Sequence, residues 1–135
     1  MLFLRNPSPG QKRRMVAVVD GDRAVRESFS VLLDGVGYAV APFNGGRELL
    51  GALPEFVPDC LLLEVDLPDI DGRQLVSKIH DKGLRMPTIL MSTHARALDE
   101  AASVFSDVTT FLTKPIAEES LFKAIDQSLS AVCAS

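Results

Sequence analysis

Asp20, Glu64 and Asp66 offer carboxylates, Ser92 a hydroxyl and Lys114 an ammonium. Together they carry the functional groups of one chemistry. Carboxylate oxygens are hard ligands that suit Mg²⁺, an ammonium neutralises phosphate oxygens, and a hydroxyl donates to them. Any one of these residues could be an ordinary polar strand end facing solvent. The argument for a shared phosphoryl and Mg²⁺ site is positional, because each lies at or just beyond the end of an apolar run. Asp22 adds a further acid in the loop after Asp20.

The elements that must position these groups follow from hydrophobic periodicity. Met15–Asp20 is a short apolar run, the pattern of a buried strand. Arg23–Val36 places Val25, Phe29, Leu32, Leu33 and Val36 on one helical face. Asp22 is a suitable N-cap for it, and Gly35 or Gly37 a suitable stop. The spacing then predicts a strand at Tyr38–Pro42, a short helix at Gly46–Leu53, a strand at Asp59–Asp66 and a helix at Arg73–Lys82 closed by Gly83. A strand at Pro87–Ser92, a helix at Arg96–Phe105, a strand at Val108–Thr113 and a helix at Ala117–Val132 complete the chain. This alternation predicts an α/β fold, flavodoxin-like and doubly wound, (βα)5, with parallel strands in the order 2-1-3-4-5. The switch point of such a sheet lies between strands 1 and 3, so Asp20 and Glu64 are expected to face each other across a crevice.

At 135 residues the chain has the size of one domain, and 47% apolar residues suffice for a core. Residues 1–14 hold Arg5, Lys12, Arg13 and Arg14 and no acid, and are expected to be a disordered basic extension. Met15 is a candidate initiator, and a basic arm for an acidic partner is the other reading of the extension. Outside it, ten basic residues stand against eighteen acidic ones, a net charge of −8 rather than −4. That balance argues against nucleic-acid binding. No apolar run is long enough to cross a membrane. Met1-Leu2-Phe3-Leu4 is too short for a signal core, and Cys60 and Cys133 read as free thiols, so a cytoplasmic location is expected. Residues 15–132 form the expected domain and 133–135 a tail.

Residues 15–131 resemble the receiver domains of bacterial response regulators. The resemblance rests on Val18-Val19-Asp20, on Leu67-Pro68-Asp69-Ile70-Asp71-Gly72, on Pro87-Thr88-Ile89-Leu90-Met91-Ser92-Thr93, and on Phe111-Leu112-Thr113-Lys114-Pro115, in family order. The local wording is nearest to regulators of the nitrogen-fixation type. It implies that Glu64 occupies the phospho-acceptor position, that Ser92 and Lys114 are phosphoryl-contact positions, and that Ser92 and Phe111 form the switch. It also implies a usually cis Lys114–Pro115 peptide.

The chain departs from that family pattern twice. Glu64 replaces the acceptor aspartate, and Gly21 replaces the second acid that ligates Mg²⁺. Glutamate is one methylene longer, and a displacement of about 1 Å can cost about a hundredfold in an in-line transfer. Mg²⁺ binding is therefore expected to be weak or absent, although Asp22 or Asp66 offers partial compensation. The expected function is a degenerate receiver, stand-alone or truncated, that acts without phosphorylation. In the sharper form of this reading, Glu64 imitates the phosphorylated aspartate by reaching toward Ser92 and Lys114. A silent docking pocket, an engineered substitution and a still phosphorylatable receiver are the alternatives. By resemblance, the partner is a histidine kinase or output protein on the Arg96–Val132 face, or a second copy of the chain.

An enzyme is the rival from another class. Val18-Val19-Asp20-Gly21-Asp22 is similar to the first motif of haloacid-dehalogenase-type phosphohydrolases, but the later acids are only Glu118, Glu119 and Asp126. A flavin module fits the fold, but the first loop lacks the phosphate cradle that flavin binding needs.

Overall fold

The computed structural model describes residues 13–94 and 108–134. The elements run β1 (Met15–Val19), α1 (Arg23–Gly35), β2 (Ala39–Phe43), α2 (Gly46–Ala52), β3 (Cys60–Glu64), α3 (Gly72–Asp81), β4 (Thr88–Ser92), β5 (Val108–Thr113) and α4 (Glu118–Ala134). All strand pairings are parallel, in the order β2-β1-β3-β4-β5. β1, β3 and β4 are short and largely apolar because their residues are covered on both faces, whereas the edge strands β2 and β5 are only partly buried. The expected helix Arg96–Phe105, and with it much of the expected partner face, lies outside the described residues.

Alternate strand residues feed two cores. Ala17, Val19, Leu61, Leu63 and Leu90 pack with Leu49, Leu75, Val76 and Ile79 of α2 and α3. Val16, Val18, Cys60, Leu62, Ile89 and Met91 pack with Phe29 and Leu33 of α1 and Leu121, Ile125 and Leu129 of α4. Cys60 is a free buried thiol whose pKa is pushed up to about 12 by that burial. Helix ends follow local chemistry. Asp22 caps α1 by accepting from the Ala24 amide at 2.9 Å, and Gly37 closes it with φ +99°.

Arg13 and Arg14, the last residues of the expected extension, make contacts with the fold. Arg13 donates to the carbonyls of Asp34, Gly37 and Tyr38 at 2.7–3.1 Å and pairs with the Asp34 carboxylate at 2.9 Å. The Arg14 carbonyl accepts from Ala39. Both arginines therefore belong to the domain, where a guanidinium satisfies carbonyls left open at a helix C-terminus. Residues 1–12 of the expected extension lie outside the described residues.

Candidate functional site

The crevice forms where β1 and β3, adjacent in the sheet, send their chains to opposite faces. Asp20 follows β1, and its side chain is only 3% exposed. One of its oxygens accepts from the Asp22 amide at 2.9 Å. The other accepts from Lys114 Nζ at 2.8 Å. The Asp20 carbonyl accepts from the Arg26 guanidinium at 2.7 Å, a contact the sequence reading did not include. Arg26 lies on the first turn of α1, where nothing in its spacing singles it out from Arg23.

Glu64 ends β3 with its side chain 10% exposed. Its Oε1 accepts from Lys114 Nζ at 2.5 Å. Its Oε2 is buried and has no hydrogen-bond partner among the described residues. Lys114 follows β5, its side chain 16% exposed, and bridges the two acids. Burial alone would lower the Lys114 pKa, but the hydrogen bonds and charges of Asp20 and Glu64 outweigh it and raise the value. The Lys114–Pro115 peptide is cis.

Ser92 ends β4 and is fully buried. Its hydroxyl donates to Asp66 Oδ2 at 3.2 Å and accepts from the His94 amide at 2.9 Å. The sequence reading sent Glu64 toward both Ser92 and Lys114. The structure sends Glu64 to Lys114 and the exposed Asp66 to Ser92. Phe111 is half-buried against the core made with α2 and α3.

These contacts bear on the expected metal centre. Asp20, Glu64 and Asp66 do not assemble into one ligand group. Among the described residues, no three His, Cys, Asp or Glu side chains come together in a way that could hold a metal. Asp66 faces the serine, and Asp22 is committed to the cap of α1. Gly21 supplies no ligand, and a Cβ there would lie 3.0 Å from Pro68 Cδ. In this arrangement Asp20 and Glu64 are both bound to Lys114 and Asp66 to Ser92, so each acid of the expected pocket already has a protein partner. Glu118 and Glu119 lie exposed on the first turn of α4.

Asp69 is a second residue whose placement was not foreseen. Its carboxylate accepts from the amides of Gly46 and Arg47, both at 3.0 Å, and so ties the β3–α3 loop to the start of α2. A Cβ at Gly45 would come within 2.8 Å of that carboxylate. The two consecutive glycines there were the available signal, since they allow a close approach.

This sheet order, with the acids after β1 and β3 bound to a lysine after the edge strand β5, is that of the flavodoxin-like class of α/β proteins. The model of the response regulator receiver domain family matches residues 16–126, and the chain belongs to that family, whose members serve two-component signalling. The chain is 30% identical over 136 residues to the response regulator protein TmoT of Ectopseudomonas mendocina, which covers 95% of this chain and 61% of that protein. It is 31% identical over 120 residues to the DNA-binding transcriptional regulator NtrC of Salmonella typhimurium, covering 88% of this chain and 25% of the relative. The chain thus spans only part of the length of these relatives. Among solved structures, the CheY-like receiver domain protein of Methanospirillum hungatei JF-1 superposes with a TM-score of 0.81 at 23% identity, over 89% of this chain and 96% of that one. The signal receiver domain of an HD domain-containing protein from Pseudomonas fluorescens Pf-5 gives a TM-score of 0.82 at 21% identity, over 92% of this chain and all of that one. Likenesses at these identities speak for the fold. No described helix is long and apolar enough to cross a membrane.

Proposed function

We propose that this chain is a degenerate receiver module that signals or docks without being phosphorylated. The observation that carries the reading is the ion pair at the acceptor position. Glu64 already holds Lys114 at 2.5 Å, with Asp20 on the other side of the ammonium at 2.8 Å. In receivers, as the family resemblance implies, that lysine contacts a phosphoryl group carried by an aspartate. Here a fixed carboxylate occupies the lysine. The group that would be the nucleophile is engaged and one methylene too long. Weak binding of Mg²⁺ belongs to the same proposal, because Gly21 removes one ligand and Asp66 is turned to Ser92.

A fixed ion pair can bias the switch of Ser92 and Phe111 if it interacts differently with its two states. The output is delivered through a partner, either a protein bound in trans or a domain that adjoins this one. By resemblance, the face that contacts it includes β5 and α4.

Intact mass after incubation with Mg²⁺ and acetyl phosphate tests the reading. The expected result is no phosphoryl adduct, beside a control receiver that labels fully. A stoichiometric adduct on Glu64 or a neighbouring aspartate would overturn it and restore the phosphorylatable reading.

A further inference from the structure

We infer that Asp66 is the positioning residue for Ser92, and that two carboxylates of one strand-loop segment divide the contacts a single phosphoryl group would make. The inference rests on the reading of Glu64 proposed above. It starts from what Glu64 does not do. Its Oε1 takes Lys114 at 2.5 Å, while its Oε2 is buried and reaches no hydrogen-bonding group among the described residues, Ser92 included. A carboxylate has two oxygens in one plane, and the phosphoryl group it stands in for has more and a longer reach. One glutamate therefore satisfies the lysine and leaves the serine.

Asp66, two residues along, takes the second contact. The Ser92 hydroxyl donates to its Oδ2 at 3.2 Å. With its proton committed there, the same hydroxyl presents its lone pairs to the His94 amide, which donates at 2.9 Å. The result is a relay of two hydrogen bonds from Asp66 through Ser92 to the start of the segment after β4. The Ser92 carbonyl also accepts from the Lys114 amide at 2.8 Å, so the serine and lysine contacts sit on adjoining strand ends. Both carboxylates come from Glu64-Val65-Asp66, in which the intervening Val65 is buried. Alternation along extended chain turns residues 64 and 66 to the same side and Val65 to the other, and Asp66, two residues beyond the end of β3, lies nearer the rim.

The test is amide hydrogen exchange at His94, followed by NMR on the whole chain in Asp66→Ala, Asp66→Asn, Ser92→Ala and the Asp66→Ala/Ser92→Ala double variant. Asp66→Ala and Ser92→Ala are each expected to speed His94 exchange by roughly tenfold or more, and the double variant by no more than Ser92→Ala alone. Asp66→Asn retains an acceptor oxygen and is expected to hold native protection. Native His94 exchange in Asp66→Ala overturns the inference while leaving the Glu64 reading intact. Additive effects in the double variant, or loss of protection in Asp66→Asn equal to that in Asp66→Ala, overturn it likewise. Phosphoryl transfer to the native chain in the mass assay overturns the Glu64 reading itself and the division of contacts with it.

Discussion

The floor and the rim of the crevice hold the same kinds of group in different solvents. On the floor, Asp20, Glu64 and Lys114 are 3%, 10% and 16% exposed and bound to one another. At the rim, Asp66, Asp22 and Asp69 are exposed, Asp66 holding the Ser92 hydroxyl, Asp22 the cap of α1 and Asp69 two amides at the start of α2. A charge on the floor has lost its water and depends on its protein partner. A rim charge can exchange a protein partner for water at small cost. Burial thus separates groups that depend on one another from groups that water can serve as well.

The sharpest way to break this comparison is to remove the one cation on the floor. Lys114→Met leaves Asp20 and Glu64 buried without the ammonium that bridges their carboxylates, and is expected to cost about 3–5 kcal/mol in urea unfolding at neutral pH. Adding Glu64→Gln is expected to return part of that loss, since one unpaired charge disappears. The pH dependence has a definite sign. Lys114 is raised in the folded state, so its contribution is fully present below the unfolded lysine pKa of about 10.4 and fades as pH rises through the folded value. A native stability that falls across that alkaline range, and a Lys114→Met chain that lacks this slope, would sustain the floor's role.

Gly21→Asp moves a rim position toward the floor. Its Cβ would meet Pro68 Cδ at 3.0 Å, so the Pro68 ring has to shift, and a new carboxylate would stand next to Asp20. Crowding and like charge together are expected to cost about 1–2 kcal/mol without metal. If 10 mM-range Mg²⁺, roughly the level a weak oxygen site needs, restores the loss, the added acid has completed a ligand set that the native residues do not form.

Asp69→Ala tests the rim where it acts as a cap. It releases two amides at the start of α2, with an expected loss of about 1 kcal/mol. The Arg47 amide is the main reason the Asp69 pKa lies below the usual carboxylate value. Its contribution is therefore present above about pH 4 and is lost as pH falls through the folded value. The variant is expected to lack that part of the acid-side slope while its alkaline behaviour stays native.

How much of this was legible depended on the range of the interaction. The strand order and the apolar faces of α1 and α3 follow from periodicity, which burial imposes on the chain itself. Asp20, Glu64, Ser92 and Lys114 were legible because topology alone delivers strand ends to one edge. The sequence grouped Asp66 with the acidic pocket, and its bond to Ser92 was not legible, since it depends on how the chain turns after Val65. Arg13 was read as part of a disordered tail because its neighbours are polar and rich in proline and glycine, whereas its partners lie more than twenty residues away on α1 and its following turn. Asp69 was read only as part of a loop motif for the same reason, with its amides on α2.

Asp66→Ala should have the smallest effect on stability and so sharpens the comparison most. Asp66 is exposed, its bond to Ser92 is 3.2 Å long, and water can replace the lost carboxylate once the side chain is shortened. The expected cost is about 0.5 kcal/mol, well under that of Lys114→Met. Such a small loss beside a large change in His94 exchange would mean that the rim contact selects among states of similar energy, as a switch element must. A loss as large as that of Lys114→Met would instead make Asp66 part of the floor, and the division between the two regions would fail. Denaturation midpoints for both variants, measured at equal ionic strength because rim charges are screened, separate these outcomes.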